Sequence, residues 1–167
     1  MKPHPIHPAL VHFPLGLLLT ATIADLAHLL GIWPETRFAA WLMAAGLIAA
    51  LPAMAAGLYD FRKLPEPLVP HALRHMGAIA LAWLGYAVAL YLRRSTLAAP
   101  ADAPTASLAA SVASALVLSF GGWLGGELVY RYGAASAYAS AQQTSPRSQR
   151  APGARMTDRR GDDTHER

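Results

Sequence analysis

The chain has seven histidines and no cysteine. Imidazole and carboxylate are therefore its groups for holding a metal or moving a proton, and thiolate sites and disulfides are excluded. Three histidines stand in one short stretch, HPIHPALVHFPLG, as His4, His7 and His12, with Pro5, Pro8 and Pro14 between and after them. His71 and His75 are four residues apart, as are Glu127 and Arg131. Asp60 follows Tyr59, and Asp25 precedes His28 by three. Imidazoles from two segments can serve as axial ligands of haem b. Imidazoles with carboxylates can hold a divalent metal, and the same groups can relay protons.

The elements that must position these residues are apolar and long. The chain has 167 residues, 54% of them hydrophobic and 14% charged, against about 25% charged in soluble domains. Four apolar runs stand out: Pro8–Leu30 with Asp25 as its one formal charge, Phe38–Tyr59 with none, His71–Leu92 with Arg74 in its first turn, and Ala106–Tyr130 with Glu127 near its end. About 20 apolar residues span a bilayer as a helix, and lipid leaves an open strand unsatisfied. The connectors are short and rich in Pro, Arg and Asp. The pattern predicts an all-α fold: an integral membrane, antiparallel bundle of four transmembrane helices over residues 1–132, with helices near 8–31, 38–59, 71–92 and 106–131. The Ala/Ser/Gln/Arg-rich tail, 133–167, lacks apolar periodicity and is predicted to be disordered. The first run offers no A-x-A-like cleavage site and is expected to stay as a span.

In such a bundle His7 and His71 lie at the thresholds of the first and third helices, with His12 and His75 deeper. Tyr59 and Asp60 close the second helix at that same end, and Glu127, Tyr130 and Arg131 close the fourth. Ionisable groups at membrane depth usually face the bundle and mark function. His12, His71, His75 and His7 are therefore the candidate cofactor-binding residues, with Asp60, Glu127, Arg131 and Tyr130 as candidates to support them from behind; no catalytic residue is singled out. His4 is expected among lipid headgroups. At the other end only Asp25 and His28 are polar, and protonation or His28 is expected to neutralise Asp25. Pro14 is expected to kink or restart the first helix, either aiming His12 inward or leaving a backbone gap that His12 fills. Gly121, Gly122, Gly125 and Gly126, with Gly77 and Gly85, would give a flat macrocycle clearance or let helices pack closely.

HPALVHFP at 7–14, Gly57 with Asp60, His71 with Ala72, and GGWLGGELVYRYG at 121–133 follow one another in an order that resembles a family of small bacterial membrane proteins catalogued as domain of unknown function 2231. The resemblance covers residues 7 to 133. It implies a membrane protein without an assigned activity, and members joined to a Rieske iron–sulfur domain imply a redox partner and electron transfer. His75 departs from it, since the family often has Asn at that position, so the resemblance favours His71 as a ligand over His75.

Basic residues near span ends favour the cytoplasmic side. Lys2, Arg62, Lys63, Arg74 and Arg131 share one side against Arg37, Arg93 and Arg94 on the other. Both termini are thus expected in the cytoplasm, with the protein in the bacterial inner (plasma) membrane. The basic tail carries no aromatic-interleaved patch, so nucleic acid is not an expected partner; the lipid bilayer is. No G-x-S-x-G elbow or nucleotide loop points to an enzyme. Three functions stay open: a haem- or metal-binding electron-transfer protein, a structural or partner-binding membrane subunit without cofactor, and a small transporter or proton conductor. The last is disfavoured because no internal repeat or broken-helix pair is visible.

Overall fold

The computed structural model describes residues 6–99 and 102–131, apart from the side chains of Ile6 and Pro8. The predicted tail, His4 and Lys2 lie outside the described residues. Ala and Leu dominate the apolar runs and favour helix. The helices are α1 (Ile6–Leu29), α2 (Arg37–Phe61), α3 (Val69–Leu92), the short α4 (Ser95–Ala98) and α5 (Thr105–Tyr130). No strand occurs among the described residues. α1, α2, α3 and α5 have 24 to 26 residues each. At 1.5 Å per residue that is about 36–39 Å, enough to cross a bilayer, and all four are apolar enough to do so.

The connections have specific causes. α1 ends at Gly31, whose φ of 70° is left-handed. The Ile32 amide reaches back to the Ala27 carbonyl (2.9 Å) and the Gly31 amide to His28 (2.9 Å), a Schellman closure that needs glycine at this point. The second connection contains a 3-10 turn, Glu66–Leu68, and Pro70 then occupies the first turn of α3, where its missing N–H costs nothing. Pro104 sits just before α5. α1 runs through Pro14 and α2 through Pro52 without interruption, so Pro14 does not restart the first helix.

α1 packs chiefly on α2, and α3 chiefly on α5; the lighter contacts of α2 with α3 and of α1 with α5 join these two hairpins into one bundle. The buried positions are small: Ala21, Ala39, Ala40, Ala82 and Ala89 are at most 1% exposed. The large apolar side chains, Phe13, Ile23, Ile48, Leu81 and Leu116 among them, face outward. A soluble core would invert this arrangement. Small residues at the seams and large ones outside suit helices that associate in lipid, where burying Leu gains little and close backbone approach gains most. A single apolar layer (Leu18, Met43, Leu47, Tyr86, Leu118) fills the middle of the bundle.

Candidate functional site

Five residues of helix turn a side chain through about 140°, and four through about 40°. His7 and His12 therefore cannot share a face of α1, whereas His71 and His75 share one on α3. His7 is the histidine of α1 that meets α2: its Nδ1 lies 2.8 Å from the Ala53 carbonyl oxygen. His12 is exposed on another face of α1. On α3, His75 meets α5, with its Nδ1 2.8 Å from the Gly121 carbonyl oxygen. His71, one turn earlier, is half-buried.

A carbonyl oxygen only accepts, so Nδ1 carries the proton in both rings. In the neutral imidazole that leaves Nε2 with its lone pair. Neither Nε2 makes a hydrogen bond among the described residues. This is the arrangement by which a protein fixes the tautomer of a metal-ligating histidine.

The carbonyls are reachable because of glycine one helical turn on. Gly57 lies four residues after Ala53, and Gly125 four after Gly121. A Cβ on Gly57 would stand 2.9 Å from His7 Cε1, and a Cβ on Gly125 would stand 2.9 Å from His75 Cε1. Each ring lies in the gap that the missing methyl leaves. Both cradles have the same sequence separation between histidine and carbonyl, 46 residues. Among the other glycines three serve close helix packing. Gly46, Gly85 and Gly121 sit against side chains of neighbouring helices, whereas a Cβ on Gly77, Gly122 or Gly126 would meet nothing within 4 Å.

The remaining residues of this end form a rim. Arg131 bonds Glu127 along α5 at 3.0 Å. The Lys63 ammonium stands 3.8 Å over the Tyr59 ring, Asp60 is half-buried, and Tyr130 is 90% exposed. Among the described residues no three His, Asp or Glu side chains gather in a metal-binding group.

The opposite end holds what the sequence hid. Asp25 does not pair with His28, as its nearness in sequence suggested. His28 turns to the Trp33 carbonyl (2.9 Å) and stands 3.9 Å from Asp102. Asp25 instead bonds Arg93 at the end of α3, and both side chains are buried. Arg93 also donates from Nε to Ser107 (2.7 Å), whose hydroxyl donates to the Ala89 carbonyl (2.8 Å). Arg93 is thus not a solvent-facing loop charge. One turn deeper, Thr22 Oγ1 lies 2.8 Å from the Tyr86 hydroxyl and 3.0 Å from the Ser111 hydroxyl, joining α1, α3 and α5. The polar groups of this end are separated from the imidazoles by the apolar layer.

A family model described as "Predicted membrane protein (DUF2231)" matches residues 3–137. The chain belongs to that family, a membrane-protein family without an assigned function. No curated protein and no solved structure matches the chain.

Proposed function

We propose that this member of the family is an electron-transfer protein that would hold haem b at the imidazole end of its bundle through His7 and His75. One observation carries the proposal: both rings give Nδ1–H to a main-chain carbonyl of a neighbouring helix and keep Nε2 for a ligand. The absence of a third ligand among the described residues favours haem over a bare divalent ion. Zinc asks the protein for three or four ligands. A haem iron brings four nitrogens of its own and asks for one or two more.

Haem would supply one-electron chemistry. The residues of the chain set its conditions: the carbonyls of Ala53 and Gly121 make the imidazoles more basic, and Arg131 with Glu127 lines the approach. Asp60 and Tyr130 stand on the same rim. His71 and His12 come second to His75 and His7, because the glycine gaps at Gly57 and Gly125 hold His7 and His75. An iron–sulfur protein, which the family resemblance implies, is the proposed redox partner. The imidazole end faces the cytoplasm of the bacterial inner membrane, because removal of buried Arg93 from the loop charges leaves only Arg37 and Arg94 opposite Arg62, Lys63, Arg74 and Arg131.

A second reading is a structural subunit in which the imidazoles only staple helices, and it too has an observation in its favour: each ring already ties together the two helices of one hairpin. Absorption spectra of protein purified from haem-replete cells, oxidised and dithionite-reduced, decide between them. A Soret band that is lost in His7→Asn and in His75→Asn, both variants remaining folded, is the expected result. Asparagine can still donate to the carbonyl but cannot ligate iron. A colourless wild-type protein would overturn the haem reading and leave the staple.

A further inference from the structure

The cradles repeat more than a motif. Asp25 and Arg93 are 68 residues apart. The same offset takes His7 to His75, Ala53 to Gly121 and Gly57 to Gly125. It also takes Tyr59 to Glu127 and Lys63 to Arg131, so the cation over an aromatic ring on α2 stands where the cation on a carboxylate stands on α5. Burial follows the same offset at many positions: Pro14 and Ala82, Leu18 and Tyr86, Ala21 and Ala89, Met43 and Ser111, Gly46 and Ser114, Ala50 and Leu118 are all buried. Of the ten buried residues of the second hairpin whose counterparts are described, nine are matched by a buried residue in the first. Packing follows it too. α1 rests on α2 as α3 rests on α5, and α1 touches α5 about as much as α3 touches α2. That exchange of contacts is what a twofold interface produces.

We propose that the bundle is a fused duplication of one helical hairpin, its halves related by a twofold axis along the bundle, and that His7 and His75 are two equal halves of one ligand site on that axis. α1 and α3 run the same way, so the axis runs parallel to the helices and to the membrane normal, as in other parallel membrane repeats. A residue that touches its own counterpart must flank such an axis. Asp25 and Arg93 do so at one end; His7 and His75 occupy equivalent positions at the other, each on the carbonyl of its own hairpin. Between them the axis is filled by Leu18, Tyr86, Ala21 and Ala89, so the duplication encloses no polar path among the described residues.

The axis explains why Asp25 and Arg93 differ. Two copies of the first hairpin would set Asp against Asp, and two copies of the second would set Arg against Arg. Each like-charged pair in an apolar core is heavily penalised. Opposite charges at this one position make each hairpin choose the other. At the imidazole end the duplication points to a stoichiometry of one ligand per chain, which His7 and His75 would share equally. This second half rests on the haem reading above; the duplication does not.

The experiment exchanges the halves at the axis in the full chain. Arg93 depends on Ser107, whose hydroxyl bonds Ala89; the counterparts are Ala39 and Ala21. Asp25→Arg alone and Arg93→Asp alone should lose the monodisperse peak in detergent. Asp25→Arg/Arg93→Asp should recover it in part. Adding Ala39→Ser and Ser107→Ala should bring the melting temperature back to that of the wild type, because the arginine then meets the same hydroxyl in the mirrored place. If these two additions give no gain over the charge exchange, the duplication is wrong. Hemin titration of the wild type tests the site separately. One haem per chain, lost equally in His7→Asn and His75→Asn, supports a shared site. Two per chain, or loss in only one variant, overturns it. No binding at all rejects the haem reading, and the exchange series still judges the duplication.

Discussion

The carboxylate of Asp25 and the guanidinium of Arg93 meet at the end of the bundle remote from the histidines, with side chains 2% and 0% exposed. Neither charge has water to fall back on, so each depends on the other. Removing one partner of a buried pair costs about 3–5 kcal/mol, whereas replacing both by apolar groups is often neutral. Asp25→Leu and Arg93→Met should each lower the resistance of the detergent-solubilised protein to unfolding by that amount. Asp25→Leu/Arg93→Met should recover most of it. Additive losses in the double variant would show that the two groups do not act as a pair.

Gly57 and Gly125 set stability against binding. Alanine in a helix gains about 0.5–1 kcal/mol over glycine. The displaced imidazole loses a hydrogen bond worth about 0.5–1.5 kcal/mol. Gly57→Ala and Gly125→Ala should therefore melt close to the wild type while losing haem. Gly122→Ala and Gly77→Ala, where a methyl meets nothing within 4 Å, should melt somewhat higher than the wild type, by the helix gain alone, and keep haem. Denaturation curves and the Soret band read the two quantities independently.

The hydroxyl cluster has a centre and a periphery. Thr22 touches both Tyr86 and Ser111. Tyr86→Phe removes one bond and leaves Thr22 with Ser111, a loss of about 1 kcal/mol. Thr22→Val leaves two buried hydroxyls without this partner and should cost about 2 kcal/mol or more. Chemical unfolding of the two variants side by side gives the order; a larger loss in Tyr86→Phe would mean that Thr22 is not the hub.

The spans were legible because a bilayer demands one thing, some twenty apolar residues in a row, and Phe38–Tyr59 or Ala106–Tyr130 state it without ambiguity. Glu127 and Arg131 pair along α5 as their spacing allowed. Rotation about each helix axis was not legible. By depth His12 stood ahead of His7, and only the packing of α1 on α2 turns His7 to a carbonyl and leaves His12 outward. Asp25 pointed to His28 because a sequence shows neighbours along the chain, while Arg93 reaches it from another helix. The repeat was hidden for a related reason. The halves share few identical residues, and what they share is where the small and buried positions fall, which becomes visible once the helices are placed together. A histidine followed fifty residues later by a glycine, occurring twice, was the one trace of it in the sequence.

Burial of Arg93 also sharpens the topology. Charge bias counts residues that face water near the span ends, and a guanidinium bound to Asp25 is not one of them. The end carrying Arg62, Lys63, Arg74 and Arg131 then outweighs the end carrying Arg37 and Arg94 by four to two among the described residues. A cytoplasm-active reporter fused after Arg131 should be active, and one inserted between α4 and α5 should be silent; a periplasm-active reporter should give the reverse at both places. Breaking the pair offers a sharper check. Asp25→Leu releases Arg93 to the short loop and brings the charges to four against three, so the fraction of chains in the expected orientation should fall. Moving the bias the other way, Arg94→Ser should raise that fraction. An orientation indifferent to both substitutions would mean that loop charge does not set the topology of this bundle.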